Sequence, residues 1–203
     1  MISLAISAEV AEAFPGYRAG VVWADGLAGP PASTLPDVAP APLDHPHLAA
    51  WRDAFRSFGA KRHRCSAEAL IARGELPRIN PLVDRYNAVS VRWAVPVGGE
   101  DLDHVVPPVR LIFASGDEPF DGDSEHPRAG EVVWADAVGV TCRRWNWRQG
   151  VRTRLSDETT RAYFLFDALA VFSDADLAAA MDDLEALLRA GWPRAELSST
   201  VLA

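Results

Sequence analysis

Lysine is almost missing from this chain: Lys61 is the only one in 203 residues, and arginine supplies the remaining basic charge. Basic side chains are in turn outnumbered, 20 against 28 acids, for a formal net charge of -8. That balance excludes a general nucleic-acid or anionic-membrane binder. Cysteine is equally scarce. Cys65 and Cys142 lie far apart without a CxxC neighbour, which excludes a disulfide framework or a cysteine-based zinc site and points to reduced thiols. No stretch approaches the roughly 20 apolar residues of a membrane span. The first residues include Glu9 and Glu12 in place of a basic start and a clean apolar run, so no signal peptide is expected. The expectation is a soluble, cytoplasmic protein. A phosphate-binding P-loop, a GxSxG elbow and a GxGxxG after a strand are all absent, and the sequence calls for no cofactor.

What is present, 49% hydrophobic residues in 203, suffices for one core and is short for two, so residues 1–203 are expected to form a single domain. "YRAGVVWADGL" (17–27) is β-rich and ends on glycine. A Pro- and Gly-rich connector follows over 26–47, without apolar periodicity. Residues 47–58 carry Leu48, Trp51, Phe55 and Phe58 at helical spacing. Ser66 is a suitable cap for a second helix, which Gly74 would stop. Asn80-Pro81 opens a third, with Leu82, Val83, Tyr86, Val89 and Trp93 as its buried stripe. Asp84, Asn87 and Ser90 form a polar band along that helix, facing either a cleft or water. "PVGGED" (96–101) ends the helix. Three β-branched and aromatic runs follow, "VVPPVRLIFAS", "GEVVWADAVGVTCRRWNW" and "RAYFLFDALAVF", and "SDETT" is expected as one capped turn before the last strand. A final amphipathic helix is expected over 174–190, with Leu177, Met181, Leu184 and Leu188 inward. No βαβ alternation occurs, so the class is α+β: two or three helices preceding a largely antiparallel sheet.

Several residues invite a chemical reading. Asp44, His45 and His47 could ligate a metal, but the proline between the histidines fits a helix entry better, and no metal is expected. Asp121, Asp123 and Glu125 alternate as in calcium loops, without the glycine and glutamate such loops require; a solvated hairpin loop is the better fit. Cys65, beside Arg62 and Arg64, could have a lowered thiol pKa and act as a nucleophile, or be an ordinary half-buried cysteine.

Charge is concentrated in "CRRWNWRQG" (142–150). From Arg143 to Arg154 there are five arginines and no acid, whereas Asp174 to Glu185 holds five acids and no base. As a strand, the stretch would carry Arg143, Trp145, Trp147 and Gln149 on one face and Arg144, Asn146 and Arg148 on the other. Neither face suits plain core or plain solvent. Two readings remain open: a pocket wall whose polar groups meet a ligand, or an arginine–carboxylate network of structural value, with Glu68, Asp84, Asp101, Glu118 and Asp136 as available acids.

Taken in order, "CSAEALIARGELPRINPLVDRYNAVSVRWAVPVGGEDLD", "GDEPF", "GEVVWADAVGVTCRRWNWRQ" and "RTRLSDETT" resemble the stand-alone B3/B4-domain proteins. These are relatives of the editing domain in the β subunit of bacterial phenylalanyl-tRNA synthetase. The similarity covers about 51–172. Asp84, Asn87, Pro96 and Asp101 match the family's pattern position by position. The synthetase's histidine falls on Gly98, and its glycine-rich loop falls on "RRWNWRQ". The resemblance implies an α+β B3/B4 fold, an unusual β-sandwich of mixed and antiparallel sheets layered with helices. It also implies recognition of an aminoacyl-tRNA or aminoacyl compound, with hydrolysis of its ester in trans. Glu68, Asp84, Asn87, Glu118, Arg144, Asn146 and Arg148 are then the expected ligand-binding residues, with no catalytic residue assignable. The alternative is a non-catalytic module for an amino-acid-like or anionic ligand or an RNA end. The acidic net charge disfavours tight unaided tRNA binding.

Overall fold

A computed structural model describes residues 2–122 and 125–203. Nine strands and five helices form among them, in the order β1 (Leu4–Ile6), α1 (Ala8–Ala13), β2 (Arg18–Asp25), α2 (Pro46–Ser57), α3 (Ser66–Arg73), α4 (Pro81–Trp93), β3 (Val97–Asp101), β4 (Val109–Phe113), β5 (Val132–Ala135), β6 (Val140–Arg143), β7 (Arg148–Gln149), β8 (Arg161–Ala168), α5 (Asp174–Gly191) and β9 (Glu196–Leu202). The strands make two sheets, ordered β1-β4-β5-β6-β7 and β3-β8-β2-β9. Only the β1–β4 pair is parallel. None of the helices is long and apolar enough to cross a membrane.

The four-stranded sheet is buried on both faces because its central strands are apolar between their ends but for Asp167. Ala19, Val21, Trp23, Tyr163 and Leu165 face the other sheet and pack with Leu111, Trp134 and the α2 residues Leu48, Trp51 and Phe55. Val22, Phe164 and Phe166 point the opposite way, onto Leu177, Met181, Leu184 and Leu188 of α5. Thus α5 realises the expected amphipathic stripe.

Three local features depart from sequence expectation. "PVGGED" ends α4 but then continues as β3, pairing antiparallel with β8. Gly99 packs closely there: a Cβ would lie 2.7 Å from the end of the Leu155 side chain and 3.0 Å from the Phe164 ring, and the Leu155 side chain would have to shift. The cap of α3 is Cys65, whose side chain makes no capping bond, and Ser66 is the first helical residue. Lastly, the sheet edge β9 follows α5, from a polar "ELSSTVL" that lacks strong periodicity. The connector runs without regular structure to α2 and is pinned to the body: Ala32 N–H donates to Gly191 and Ala41 N–H to Val91. Arg85, 2% exposed, reinforces this by donating to the carbonyls of Ser33, Pro81 and Leu187.

Candidate functional site

The stretch 143–149 is two short strands joined by a turn, not one strand, and this changes which residues share a face. Arg144 and Trp145 adopt left-handed backbone angles, φ 46° and 65°, which reverse the chain as glycine does more cheaply. Across the hairpin Arg143 pairs in register with Arg148, and Cys142 with Gln149. Both arginines therefore lie on the outer face, over the Phe120 ring. Arg143 is 3% exposed and forks onto Glu131 at 2.9 and 3.0 Å. Glu125 bonds Arg143 and meets Arg148 at 2.8 Å, neutralising two like charges placed opposite one another. Trp145 is wholly buried, edge-on to Phe14, Tyr17 and Trp51 at 4.7 to 5.0 Å.

The inner face of the same hairpin opens on a cavity of about 330 Å³. Register places Trp134, Cys142 and Gln149 side by side on one wall. The opposite wall is the inward face of the four-stranded sheet, with Gly98, Glu100, Leu165 and Asp167. Helices α3 and α4 form the roof through Leu70, Val83, Tyr86 and Asn87. A Cβ at Gly98 would meet no atom within 4 Å, so the space in front of this glycine belongs to the cavity.

Two carboxyls sit on this wall, Glu100 and Asp167, 4% and 2% exposed. In the register of β3 against β8 they are separated by roughly 14 Å, four residues along the sheet. Burial pushes the Glu100 carboxyl up to about 8, despite the Gln149 amide that donates to it at 2.9 Å. Burial likewise raises Asp167 to about 6. Asp167 accepts from the Tyr17 hydroxyl at 2.5 Å and from the Asn146 amide at 3.1 Å. The buried Trp134 and Trp145 indole N–H groups lie beside Asp167 and, with Tyr17 and Asn146, oppose the effect of burial on its carboxyl. Asn87, 5% exposed, also lines the cavity with its carboxamide unpartnered among the described residues.

Of the residues expected from sequence to bind ligand, the cavity brings together Asn87 and Asn146. The others are distributed elsewhere. Glu68 in α3 receives Arg52 at 3.0 Å. Asp84 accepts from the Ile79 N–H and lines a separate cleft against the connector. Glu118 caps the Ser115 and Gly116 N–H groups at 2.7 and 3.0 Å. Arg144 stacks its guanidinium on Trp147 at 4.5 Å, and Arg148 lies with Glu125 on the outer face. Ser90 of the polar band donates internally to Val95. Asp101, beside Glu100, accepts from Thr159.

Other candidates resolve into structure. His47 is buried between Ala94 and Leu169, bonded by both ring nitrogens, and burial lowers its pKa to about 4. Cys65 is buried at the start of α3 and its thiol is pushed up to about 12, chiefly by burial. Of the two readings open for Cys65, this goes against the lowered pKa of a nucleophile: Arg62 and Arg64 are exposed and do not offset burial. Cys142 is raised well above its ordinary value for the same reason. Among the described residues no three metal-ligating side chains gather; Asp123 lies outside them, while Asp121 accepts from the Val151 N–H. Sequence reasoning missed Glu100, Asp167 and Gln149. The available signal was an acid inside the otherwise apolar run "YFLFDALAV", since acids are seldom buried without a reason.

The sequence profile of the B3/4 domain matches residues 50–184, about two thirds of the chain. No curated protein matches. Among solved structures, an N-terminal fragment of the phenylalanyl-tRNA synthetase β-subunit from Pyrococcus horikoshii superposes with a TM-score of 0.53 at 10% identity, over 96% of this chain and 50% of that one. The chain thus spans about half the length of that fragment, and the likeness is one of fold.

Proposed function

The chain belongs to the B3/4 domain family, and we propose that its cavity takes the aminoacyl group of an aminoacyl-tRNA or smaller aminoacyl ester, which the protein hydrolyses in trans. One observation carries this reading: the buried, unpartnered Asn87 carboxamide shares an apolar cavity with two buried carboxyls. A volume of about 330 Å³ lies at the lower end of ordinary ligand pockets, which fits a single amino-acid-sized group. Asn87 is placed to donate to a carbonyl oxygen. Asp167, raised to about 6, is largely ionised at neutral pH yet basic enough to take a proton from water. The water oxygen would bond to the carbonyl carbon, the ester C–O bond would break, and the departing alkoxide would leave as the alcohol with the proton held by Asp167. Asn146 positions Asp167. Acting on tRNA in trans implies a cytoplasmic location, which two free thiols support.

A second reading, binding without turnover, is favoured by Gly98, where the resemblance aligns a histidine and this chain has no side chain. Purified protein incubated with a panel of mischarged tRNAs separates the two. Hydrolysis of at least one, lost in Asn87→Ala, is expected. Binding without deacylation of any of them, at high protein concentration, leaves only the second reading.

A further inference from the structure

Among the described residues each sheet ends in two edge strands, and three of these edges are blunted. β1 and β7 are three and two residues long. β3 is covered by the 153–154 segment, where Asp101 N–H donates to Thr153 and Glu100 bridges to Arg154. Short or covered edges are the usual protection against pairing with another chain. β9 has neither. It runs seven residues and pairs with β2 without a bulge, and from Leu197 to Leu202 it carries no charge, proline or glycine. Register fixes which of its backbone groups face away from the sheet. Leu102 N–H donates to Arg161 and Asp167 N–H to Pro96, so the odd-numbered residues of β8 bond to β3 and the even-numbered ones to β2. Carried across β2, the alternation commits the even-numbered residues of β9 to β2 and turns the N–H and C=O groups of Leu197, Ser199 and Val201 outward. No hydrogen bond from outside the sheet reaches these three among the described residues. Ser199 and Val201 are exposed, Val201 at 49%.

This outward set is complementary to itself. Two copies laid antiparallel about Ser199 pair Leu197 with Val201 of the second copy, Ser199 with Ser199, and Val201 with Leu197. Each such pair exchanges two hydrogen bonds, so every outward group is satisfied by strand residues alone. The side chains agree with the backbone: Leu197 packs with the α5 cluster, and on that face Leu197 of each copy meets Val201 of the other, an apolar cross-strand contact. Charge agrees as well. Two molecules of net charge -8 approach best along a neutral strip, and the strand's one acid, Glu196, recurs in the two copies roughly 20 Å apart, beyond the Debye length of about 8 Å. We propose that β9 is the interface between two copies of this chain, joined about a two-fold axis at Ser199 so that the four-stranded sheet of one continues into that of the other. The cavity is walled by β3 and β8, towards the opposite edge, and stays open in both copies. The interface does not depend on what that cavity binds.

The test is analytical ultracentrifugation of the full chain over a range of concentrations. The wild type should pass from the 22.0 kDa of one chain to twice that mass as concentration rises. Ser199→Glu and Ser199→Lys each set like charges face to face across the axis. Because the side chain is exposed, both variants should melt as the wild type does. Each alone should associate at least about tenfold more weakly than the wild type. Mixed in equal amounts, the two variants place opposite charges across the axis and should recover the double mass. A mixture that stays monomeric overturns the proposal, as does a dimer that persists undiminished in both variants. A wild type of single-chain mass at every concentration also overturns it, and would leave the edge to a strand of another protein.

Discussion

Glu100 is buried against β8 with an amide, not a cation, as its partner. Its carboxyl, ordinarily near 4.5, is pushed up to about 8 by burial. The folded protein therefore holds a proton that the unfolded chain gives up above about 4.5. The stability this group contributes is complete below that pH and is lost as pH rises through about 8, at on the order of 1 kcal/mol per pH unit. Glu100→Gln removes the dependence. Urea unfolding at pH 5, 6.5 and 8 should show the variant gaining on the wild type as pH rises; a constant difference would contradict the burial argument. His47 acts in the opposite sense. Lowered to about 4, it contributes stability present above 6.5 and lost as pH falls towards 4.

Among the elements, the β6–β7 hairpin sets a buried charge opposite a more exposed one. Arg143 is buried and forked onto Glu131, whereas Arg148 has a side chain 41% exposed. Arg143→Leu strands the Glu131 carboxylate and should cost about 3–5 kcal/mol. Arg148→Ala should cost under about 1 kcal/mol. Chemical denaturation of the two variants measures the contrast, and equal losses would show that the network does not depend on burial. The two faces of this stretch differ: the outer face is an arginine–carboxylate network, and the inner face lines a cavity. The sequence could not reveal this, because a strict two-residue alternation assumes no turn. Neither arginine nor tryptophan advertises a left-handed backbone as glycine would. By contrast α4 was legible from Asn80-Pro81 and its apolar stripe, whose cap the Asn80 side chain makes to Leu82 and Val83. Strand β3 was not, because its glycines read as a break until Gly99 is seen pressed against Phe164.

At the scale of the whole molecule, two sheets and a helical roof leave one cavity where β3, β8 and the β6–β7 hairpin meet α3 and α4. Helix spacing identified Asn87 as lying on a polar band, and the family resemblance pointed to Gly98 and the 143–149 hairpin. The carboxyls became visible only once register set Glu100 and Asp167 on the same face as Gly98. Gly98 gives the most direct test, because a side chain there meets open space and not the core. Gly98→Leu should fold and melt as the wild type does while filling the cavity. Calorimetric titration with a non-hydrolysable aminoacyl-nucleoside amide should show saturable binding to the wild type and its loss, by at least about tenfold, in Gly98→Leu. Equal affinity of the two folded proteins for the analogue would place the ligand elsewhere and contradict the account.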